Sequence, residues 1–412
     1  MKCARKVNRE FAFQGLAPCK FHDIISRYTG PKRQLYLRAL DDIRTYGFDH
    51  RWAHIKMFVK PDKFPFAKAM IKPPRAIQYR SPAFNLLLAH YLKPIEDWFY
   101  NNVSPGGFRF AAKGLNNVQR AINLKEMSST FDNPAYILLD HSSFDSTINE
   151  THLRTTHKFY SKLNNSSKLK MLLKFQLNNK GWSKHGIKYM VKGTRMSGDF
   201  DTALGNTYIN YVALRSWLRL AGVRGEIMLD GDDSIVIVER SSMYRLDMDH
   251  FGKCGFETKM EVVYDLVDVE FCQSKYLPTE PPRFSRNPIR ALSRLNISVK
   301  NYHGSGWRRY QSGIGHCEMA VNQGVPILYP IGLKLAQLSK RPIFDTEMEY
   351  KVSSVDICDI PITDEVRVAF YQAWGISPYE QIAIESDYTP HIRAPAVELI
   401  QSYFSLPEDE EK

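Results

Sequence analysis

Several things are missing from this sequence, and each absence narrows the field. No apolar run approaches about 18 residues, so a membrane-spanning helix is not expected, and no secretory apolar region stands near the start. Cys3, Cys19, Cys254, Cys272, Cys317 and Cys358 never fall at Cys-x-x-Cys spacing. Their scatter speaks against a zinc site and a disulfide scaffold and points to a reduced intracellular setting. No Gly-x4-Gly-Lys-Ser/Thr loop is present, which excludes a P-loop NTPase, and nothing reads as a methyltransferase or a protease. Internal repeats, low-complexity blocks and clean linkers are also lacking. Acid is in deficit: 44 Asp and Glu face 56 Lys and Arg, leaving +12. That excess suits a polyanionic partner without choosing between nucleic acid and anionic lipid.

What is present is apolar enough, at 43% hydrophobic and 12% aromatic over 412 residues, to build a large core. The chain turns on Met228–Val238, where an apolar run enters Asp230-Gly231-Asp232-Asp233 and a β-branched run leaves it. This pattern predicts a β-hairpin with an acidic tip. Carboxylates in contact repel by roughly 4 kcal/mol per pair at an effective dielectric of 20, so a cation, ordinarily Mg²⁺, is the natural companion. In isolation Gly231-Asp232-Asp233 reads as a solvated turn.

Residues 1 to about 50 predict only a helix around Arg33–Tyr46. From Arg51 to Arg80 the chain is basic, with Lys56, Lys60, Lys63, Lys68, Lys72, Arg75 and Arg80 among Phe58, Phe64, Phe66 and Tyr79. Prolines at 61, 65, 73, 74 and 82 impose extended segments and turns that splay these cations along a groove; the bland alternative is a solvated basic loop. Asn85–Tyr100 is apolar at helical spacing, with Pro94 a residue that could interrupt it. Ala135–Leu139 predicts a buried strand ending at Asp140, with Asp145 near the head of a helix over Asn149–Leu163, where it could also serve as a cap. Gly193–Asp199 reads as a hydroxyl-bearing loop and Thr202 to Leu220 as a helix, with Thr202, Asn206 and Asn210 on one face. Met243–Lys253 reads as helical, Phe256–Glu261 as a strand, and the chain after Pro278 as helix and loop.

Taken in order, these pieces resemble the palm and fingers of a viral RNA-dependent RNA polymerase, most closely the tombusvirus-like group of positive-strand RNA viruses. Asp140-His-Ser-Ser-Phe-Asp145 is similar to motif A, Ser197-Gly198-Asp-Phe-Asp-Thr202-Ala-Leu-Gly-Asn206 to motif B, and Gly231-Asp232-Asp233 to motif C. Group-level signals are Arg75-Ala-Ile-Gln-Tyr-Arg80-Ser-Pro, Tyr91-Leu-Lys93-Pro-Ile-Glu96, Lys113-Gly-Leu-Asn116, Gly255-Phe-Glu-Thr-Lys259 and Glu270-Phe-Cys-Gln273. Two positions depart from the pattern. Ala83 stands where the group commonly carries a base, and Asp230 where a small or uncharged residue is usual, leaving it as ligand, cap or tuning residue.

The resemblance implies an α+β right-hand fold of fingers, palm and thumb, with an antiparallel palm sheet flanked by helices. Its division would be 1–132 (N-terminal extension and fingers), 133–165 (palm), 166–192 (fingers insertion), 193–277 (palm) and 278–412 (thumb and tail). It further implies RNA-directed RNA synthesis with two Mg²⁺ ions, or Mn²⁺, held by Asp140, Asp232 and, secondarily, Asp233. Lys259 would protonate the leaving pyrophosphate, although by itself it is a surface lysine. Asp145 and Asn206 would read the ribose, supported by Ser197 and Thr202, and Gly198 would contact RNA. Arg75 and Arg80 would grip the triphosphate, Lys60, Lys63 and Lys72 would line the nucleotide or template route, and Glu270–Leu277 would support the product 3′ end. Implied partners are template and product RNA, nucleoside triphosphates and viral or host replicase proteins, in host cytoplasm at membrane-associated replication complexes. Two rival readings are a non-catalytic RNA-binding replicase subunit, and a reverse transcriptase or DNA polymerase.

Overall fold

In the computed structural model, which describes residues 3–60, 70–71, 74–183, 186–295, 297–298, 300–353, 358 and 360–390, the apolar run at 135–139 forms the strand Pro134–His141. It lies inside a four-stranded antiparallel sheet ordered Gly225–Asp230, Asp233–Glu239, Pro134–His141, Thr258–Val263. Ala135, Ile137 and Leu139 alternate into the main core with Ile227, Leu229, Val236 and Val238. The Thr202–Ala221 helix joins the same core and is buried nearly all round, including at Leu204, Tyr208, Tyr211 and Trp217. A helix enclosed in this way draws its stability from packing rather than from an amphipathic stripe. Gly222, at φ 61°, ends it.

A second four-stranded sheet is ordered Ala76–Tyr79, Ile55–Val59, Asn178–Ser183, Lys188–Lys192. Ile55–Val59 pairs antiparallel with the first strand and parallel with the third. The expected basic groove is therefore partly strand, as the prolines around it suggested.

Three local differences from the sequence expectations have physical causes. The Pro82–Tyr100 helix runs straight through Pro94. Proline removes one donor and frees the carbonyl four residues earlier, and here the His90 carbonyl accepts the Cys19 backbone N–H at 2.8 Å instead. The stretch Met243–Lys253 is two short elements, Arg240–Arg245 and His250–Cys254. Asp247 breaks it: its side chain accepts from the Asp249 N–H at 3.0 Å, an alternative to helical bonding, while its carbonyl takes the Trp217 indole N–H at 2.8 Å. The first residues, silent as sequence, are a packed strap. Phe11 packs at tilted and edge-on angles among Trp98, Phe99, Phe110, Phe159 and Tyr211, and the Glu10 carboxylate accepts from Tyr211, Arg215 and Arg219 of the Thr202–Ala221 helix.

The chain divides into two compact units, Met1–Gly114 with Asn123–Asp265, and Leu115–Ile122 with Leu266–Lys412. The break after Asp265 precedes the 277/278 division expected from sequence. Leu277 belongs to the core of the second unit, with Trp307, Ile331 and Phe370, and Glu270–Phe271 pairs with Ser274–Leu277. The turn between those strands puts Cys272 and Gln273 at φ 50° and 62°, the double positive φ of a type I′ hairpin. Among the described residues no helix is long and apolar enough to cross a membrane.

Candidate active site

The acidic hairpin forms as read: Asp230 and Asp233 are register partners, and Gly231-Asp232 is the two-residue loop. Gly231 takes φ 70°, and glycine at the first loop position with positive φ matches the II′ class, whose twist suits the flanking strands. One strand over, Asp140 sits opposite Lys259 and one residue beyond the Leu139–Ser234 pair. Burial pushes the Asp232 carboxyl above the usual carboxylate range, and the charges of Asp145, Asp140 and Asp230 push the same way.

Two side chains of the Thr202–Ala221 helix bolt this turn down. Asn210 Nδ2 donates to the carbonyls of Gly231 and Asp232 at 3.0 and 3.2 Å, and the Gly231 N–H donates to Thr207 Oγ1 at 3.3 Å. Asn210 Oδ1 is then left as the acceptor for His141 Nε2 at 3.2 Å, while His141 Nδ1 meets the Thr258 hydroxyl at 2.8 Å. Matching donors to acceptors makes His141 the Nε2–H tautomer. Burial holds its pKa below the ordinary histidine value, against the opposing pull of Asn210 and Asp140. One amide therefore ties the residue next to Asp140 to the backbone of Asp232. Asn210 shared the polar stripe in the sequence, but nothing there told what it would touch.

Beside this lies the second acid. Asn206 Nδ2 donates to Asp145 Oδ1 at 2.7 Å, and Arg195 Nε donates to Asn206 Oδ1 at 3.3 Å, so the amide has one orientation. Burial raises the Asp145 pKa, while Asn206 and the Arg195 charge counter it. Asp145 lies in a short Phe144–Thr147 helix of its own, ahead of Glu150–Leu163, which Asn149 caps.

The Ser197–Gly198 loop is clamped on the Ala76–Tyr79 strand. Gln78 N–H donates to Ser197 Oγ at 3.2 Å and Gly198 N–H to the Gln78 carbonyl at 2.7 Å. Thr202 Oγ1 closes the loop from below on the carbonyls of Met196 and Asp199 at 2.8 and 2.9 Å. A Cβ on Gly198 would lie 2.5 Å from Tyr79 Cβ and 2.8 Å from the Gln78 oxygen. Gly198→Ala is therefore expected to destabilise by about 1–3 kcal/mol, read by thermal melting; an unchanged melting temperature would show that the strand yields freely.

Arg80 requires a correction. Its side chain is 1% exposed, its Nε donates to both Asp199 oxygens at 2.9 and 3.1 Å, and its amino groups go to the Ala53 carbonyl and Asn179 Oδ1. A guanidinium this buried, with Asp199, Ala53 and Asn179 around it, is out of reach of a triphosphate, so Arg80 positions the loop instead. From Asp199 a buried chain continues: Gln176 Nε2 bridges Asp199 and Asp201 at 3.1 and 2.7 Å, and Arg195 and Tyr160 both reach Asp201, at 2.9 and 3.1 Å. Sequence reading missed Gln176, Arg195, Asp199 and Asp201 because hydrophobic patterning carries no sign of buried charge. Their one trace was two acids and an arginine crowded around the Ser-Gly pair.

Of the remaining residues, Arg75 and Lys60 are exposed and joined through the backbone, Lys60 N–H to the Arg75 carbonyl at 2.8 Å. Lys63 and Lys72 lie outside the described residues. Asp230, the unplaced acid, faces Lys113 Nζ at 3.9 Å. Asp233 is half-buried at the start of its strand, and Lys259 is exposed.

Among the described residues no three His, Cys, Asp or Glu side chains converge enough to hold an ion by themselves. Mg²⁺ rarely asks for such a cage; it keeps several waters and binds through one or two carboxylates plus substrate phosphates. Hard oxygen donors at Asp140, Asp232 and Asp233, with the Asp232 charge opposed by its neighbours, fit ions that assemble together with a nucleotide.

Comparison with known proteins agrees with this geometry. A family model described as viral RNA dependent RNA polymerase matches residues 2–393. The chain is 30% identical over 394 residues to the RNA-directed RNA polymerase of Groundnut rosette virus (strain MC1), covering 90% of this chain and 46% of that protein. It is 31% identical over 394 residues to that of Turnip crinkle virus, with 88% and 49% covered, and 29% identical over 396 residues to that of Melon necrotic spot virus, with 91% and 50% covered. The chain thus spans about half the length of these curated relatives. The order of the motifs, the hydrogen bonds that join them and a match along nearly the whole chain share one account, which is that this protein belongs to the viral RNA-dependent RNA polymerases.

Proposed function

We propose that the chain carries out RNA-directed RNA synthesis for a positive-strand RNA virus of the tombusvirus-like group, joining nucleoside triphosphates to a product 3′-hydroxyl with release of pyrophosphate. The observation that carries this reading is the Asn210 bridge, which joins the ends of two acid-bearing strands, with the Asp145–Asn206 pair alongside. Asp140 and Asp232 would hold Mg²⁺ or Mn²⁺, with Asp233 assisting. When bound, two such ions acidify the attacking hydroxyl and stabilise charge on the phosphate and the leaving group. Lys259, the register partner of Asp140, would give a proton to the pyrophosphate oxygen. Arg75 offers a guanidinium fork to phosphate, and Lys60 lines the route beside it. The same reading makes the Pro134–His141 sheet the palm, the Ile55–Val59 sheet the fingers and the helical unit from Leu266 the thumb. It also places the chain in host cytoplasm, recruited to membrane-associated replication complexes by viral or host replicase partners.

Sugar choice follows from Asp145. An ionised carboxylate only accepts hydrogen bonds, so beyond the bond it takes from Asn206 a ribose 2′-hydroxyl can donate to it, and a deoxyribose leaves that acceptor position unfilled. Asn206→Ala is expected to narrow the rNTP/dNTP preference by roughly ten- to a hundredfold, the equivalent of about 1–3 kcal/mol. Single-nucleotide incorporation measures this, and an unchanged ratio would remove Asn206 from sugar selection.

Incorporation of each rNTP and dNTP on RNA and DNA templates, with Asp232→Asn as control, tests the whole reading. Ribonucleotide addition on RNA, lost in the variant, supports it. Preferential dNTP use would make the chain a reverse transcriptase, and RNA binding without incorporation a non-catalytic subunit.

A further inference from the structure

Along the Thr202–Ala221 helix, Thr207, Tyr211, Arg215 and Arg219 recur every four residues and make one ridge. Its first member holds the acidic turn through the Gly231 N–H. The other three all donate to one carboxylate, that of Glu10, in the strap formed by Cys3–Val7 and Asn8–Glu10. Glu10 Oε2 accepts from the Tyr211 hydroxyl at 3.2 Å and Arg215 Nε at 3.0 Å, and Oε1 from Arg215 Nη2 at 3.3 Å and Arg219 Nη1 at 3.0 Å. The Glu10 and Arg215 side chains are 11% and 13% exposed, and among the described residues no other carboxylate pairs with either arginine. Two routes lead from this carboxylate to the acids. Tyr211 follows Asn210, which donates to the Gly231 and Asp232 carbonyls, and its ring stacks on Phe110 at 4.2 Å. The Phe110 carbonyl accepts the Leu229 N–H at 2.9 Å and the Leu229 carbonyl takes the Ala112 N–H at 2.8 Å, so the residue before Asp230 is held by both of its backbone groups. Arg215 supplies the second route: its Nη1 reaches the Gly225 carbonyl at 3.5 Å, where the strand that ends at Asp230 begins.

We propose that Glu10 is a positioning residue for the acidic turn: its carboxylate sets how the Thr202–Ala221 helix and the Gly225–Asp230 strand lie against each other, and so where Asp232 is held. The physical reason is charge. Arg215 and Arg219 stand one turn apart and repel, and Arg215 lies largely out of water, where an uncompensated cation is costly. Glu10 neutralises both and fixes the Arg215 fork with a bond to each of its oxygens. Without it, Arg215 regains hydration only by swinging outward, which gives up the Gly225 contact, and the Tyr211 hydroxyl loses its acceptor. Two ties of the acid-bearing strand then loosen, while Asn210 and Thr207 alone still hold the turn. Glutamine is no substitute, because its amide nitrogen only donates and would face arginine donors. What the turn does in catalysis rests on the polymerase reading; its placement by Glu10 does not.

Hydrogen–deuterium exchange of the full chain, well below its melting temperature, tests this without relying on activity. In Glu10→Ala the amides of 226–236 are expected to exchange about three- to tenfold faster, with the 304–321 helix of the other unit unchanged. Faster exchange confined to 3–11 and 215–225 would overturn the proposal. Tyr211→Phe removes one hydroxyl and keeps the ring on Phe110, so it answers the same question if Glu10→Ala fails to fold; it should speed 226–236 by a smaller factor, and no change there would also overturn the proposal. Single-turnover incorporation with titrated active sites adds the functional result. Glu10→Ala and Glu10→Gln should each lower the rate per active site by about ten- to a hundredfold, the scale of a misplacement of about 1 Å remote from the reacting atoms. They should also raise the Mg²⁺ concentration giving half the maximal rate, with RNA affinity in EDTA unmoved. A role in stability alone would lower the melting temperature yet leave the rate per active site and the Mg²⁺ requirement at parental values, and that result would overturn the proposal. A parent chain that incorporates no nucleotide would instead fail the polymerase reading, and the exchange result would still decide the role of Glu10.

Discussion

Asp232→Asn is expected to lower nucleotide incorporation by about three orders of magnitude or more, corresponding to several kcal/mol of lost ion-assisted charge stabilisation, while single-stranded RNA affinity stays within about threefold of the parent. The side chain change is isosteric, and the turn is held by Asn210 and Thr207 through the backbone rather than through the carboxylate, so the fold should persist. The amide removes an anionic ligand and relieves repulsion from Asp145 and Asp140. Melting temperature should therefore hold or rise slightly as activity disappears. Asp230→Asn is the informative contrast. Asp230 faces a half-exposed Lys113 at 3.9 Å, and contacts of that kind contribute about 0–1 kcal/mol, so its loss should cost little. Equal losses from both substitutions, measured by single-turnover extension, would move Asp230 into the metal site and sink this division of labour among the acids.

The second large effect concerns stability. Arg195 and Asp201 have side chains 1% and 0% exposed and meet at 2.9 Å. Removing one partner strands the other charge in the interior, which typically costs about 3–5 kcal/mol, whereas replacing both by apolar groups is often neutral or better. Arg195→Met should therefore lower the melting temperature sharply, and Arg195→Met with Asp201→Leu should recover a large part of it. Recovery will be incomplete, because Tyr160 and Gln176 also donate to Asp201. A double variant as unstable as the single one would mean that the network, rather than the pair, is the unit. Either variant also frees Asn206 Oδ1 from Arg195 Nε, so sugar discrimination should weaken even where folding is restored.

These expectations separate what could be read from the chain from what could not. The hairpin at 230–233, the strand ending at Asp140 and the helix beginning at Thr202 were legible because each rests on local rules: a glycine where φ is positive, a short apolar run, a helical period. Proline at 94 misled because the carbonyl it frees, that of His90, finds its donor on Cys19, 71 positions earlier in the chain. Arg80 misled for the opposite reason. Arginine near the start of a phosphate-binding pattern is a sound guess from chemistry, but whether its fork faces solvent or Asp199 is decided by packing between segments 119 residues apart.

By itself, then, the sequence determined the inventory and its order: acids on separate strands, a Ser-Gly loop before a polar-striped helix, a lysine strand last, and enough positive charge for a polyanionic partner. Only the tertiary structure decided which polar groups touch. It gave Asn210 the task of joining Asp140's neighbour to the Asp232 turn, gave Asp230 to Lys113, withdrew Arg80 into the interior and set Glu10 against three donors of one helix. The physical reason is that periodicity records which side of an element is apolar, whereas hydrogen bonds and ion pairs depend on positions within a few ångströms, and those exist only once distant segments have packed.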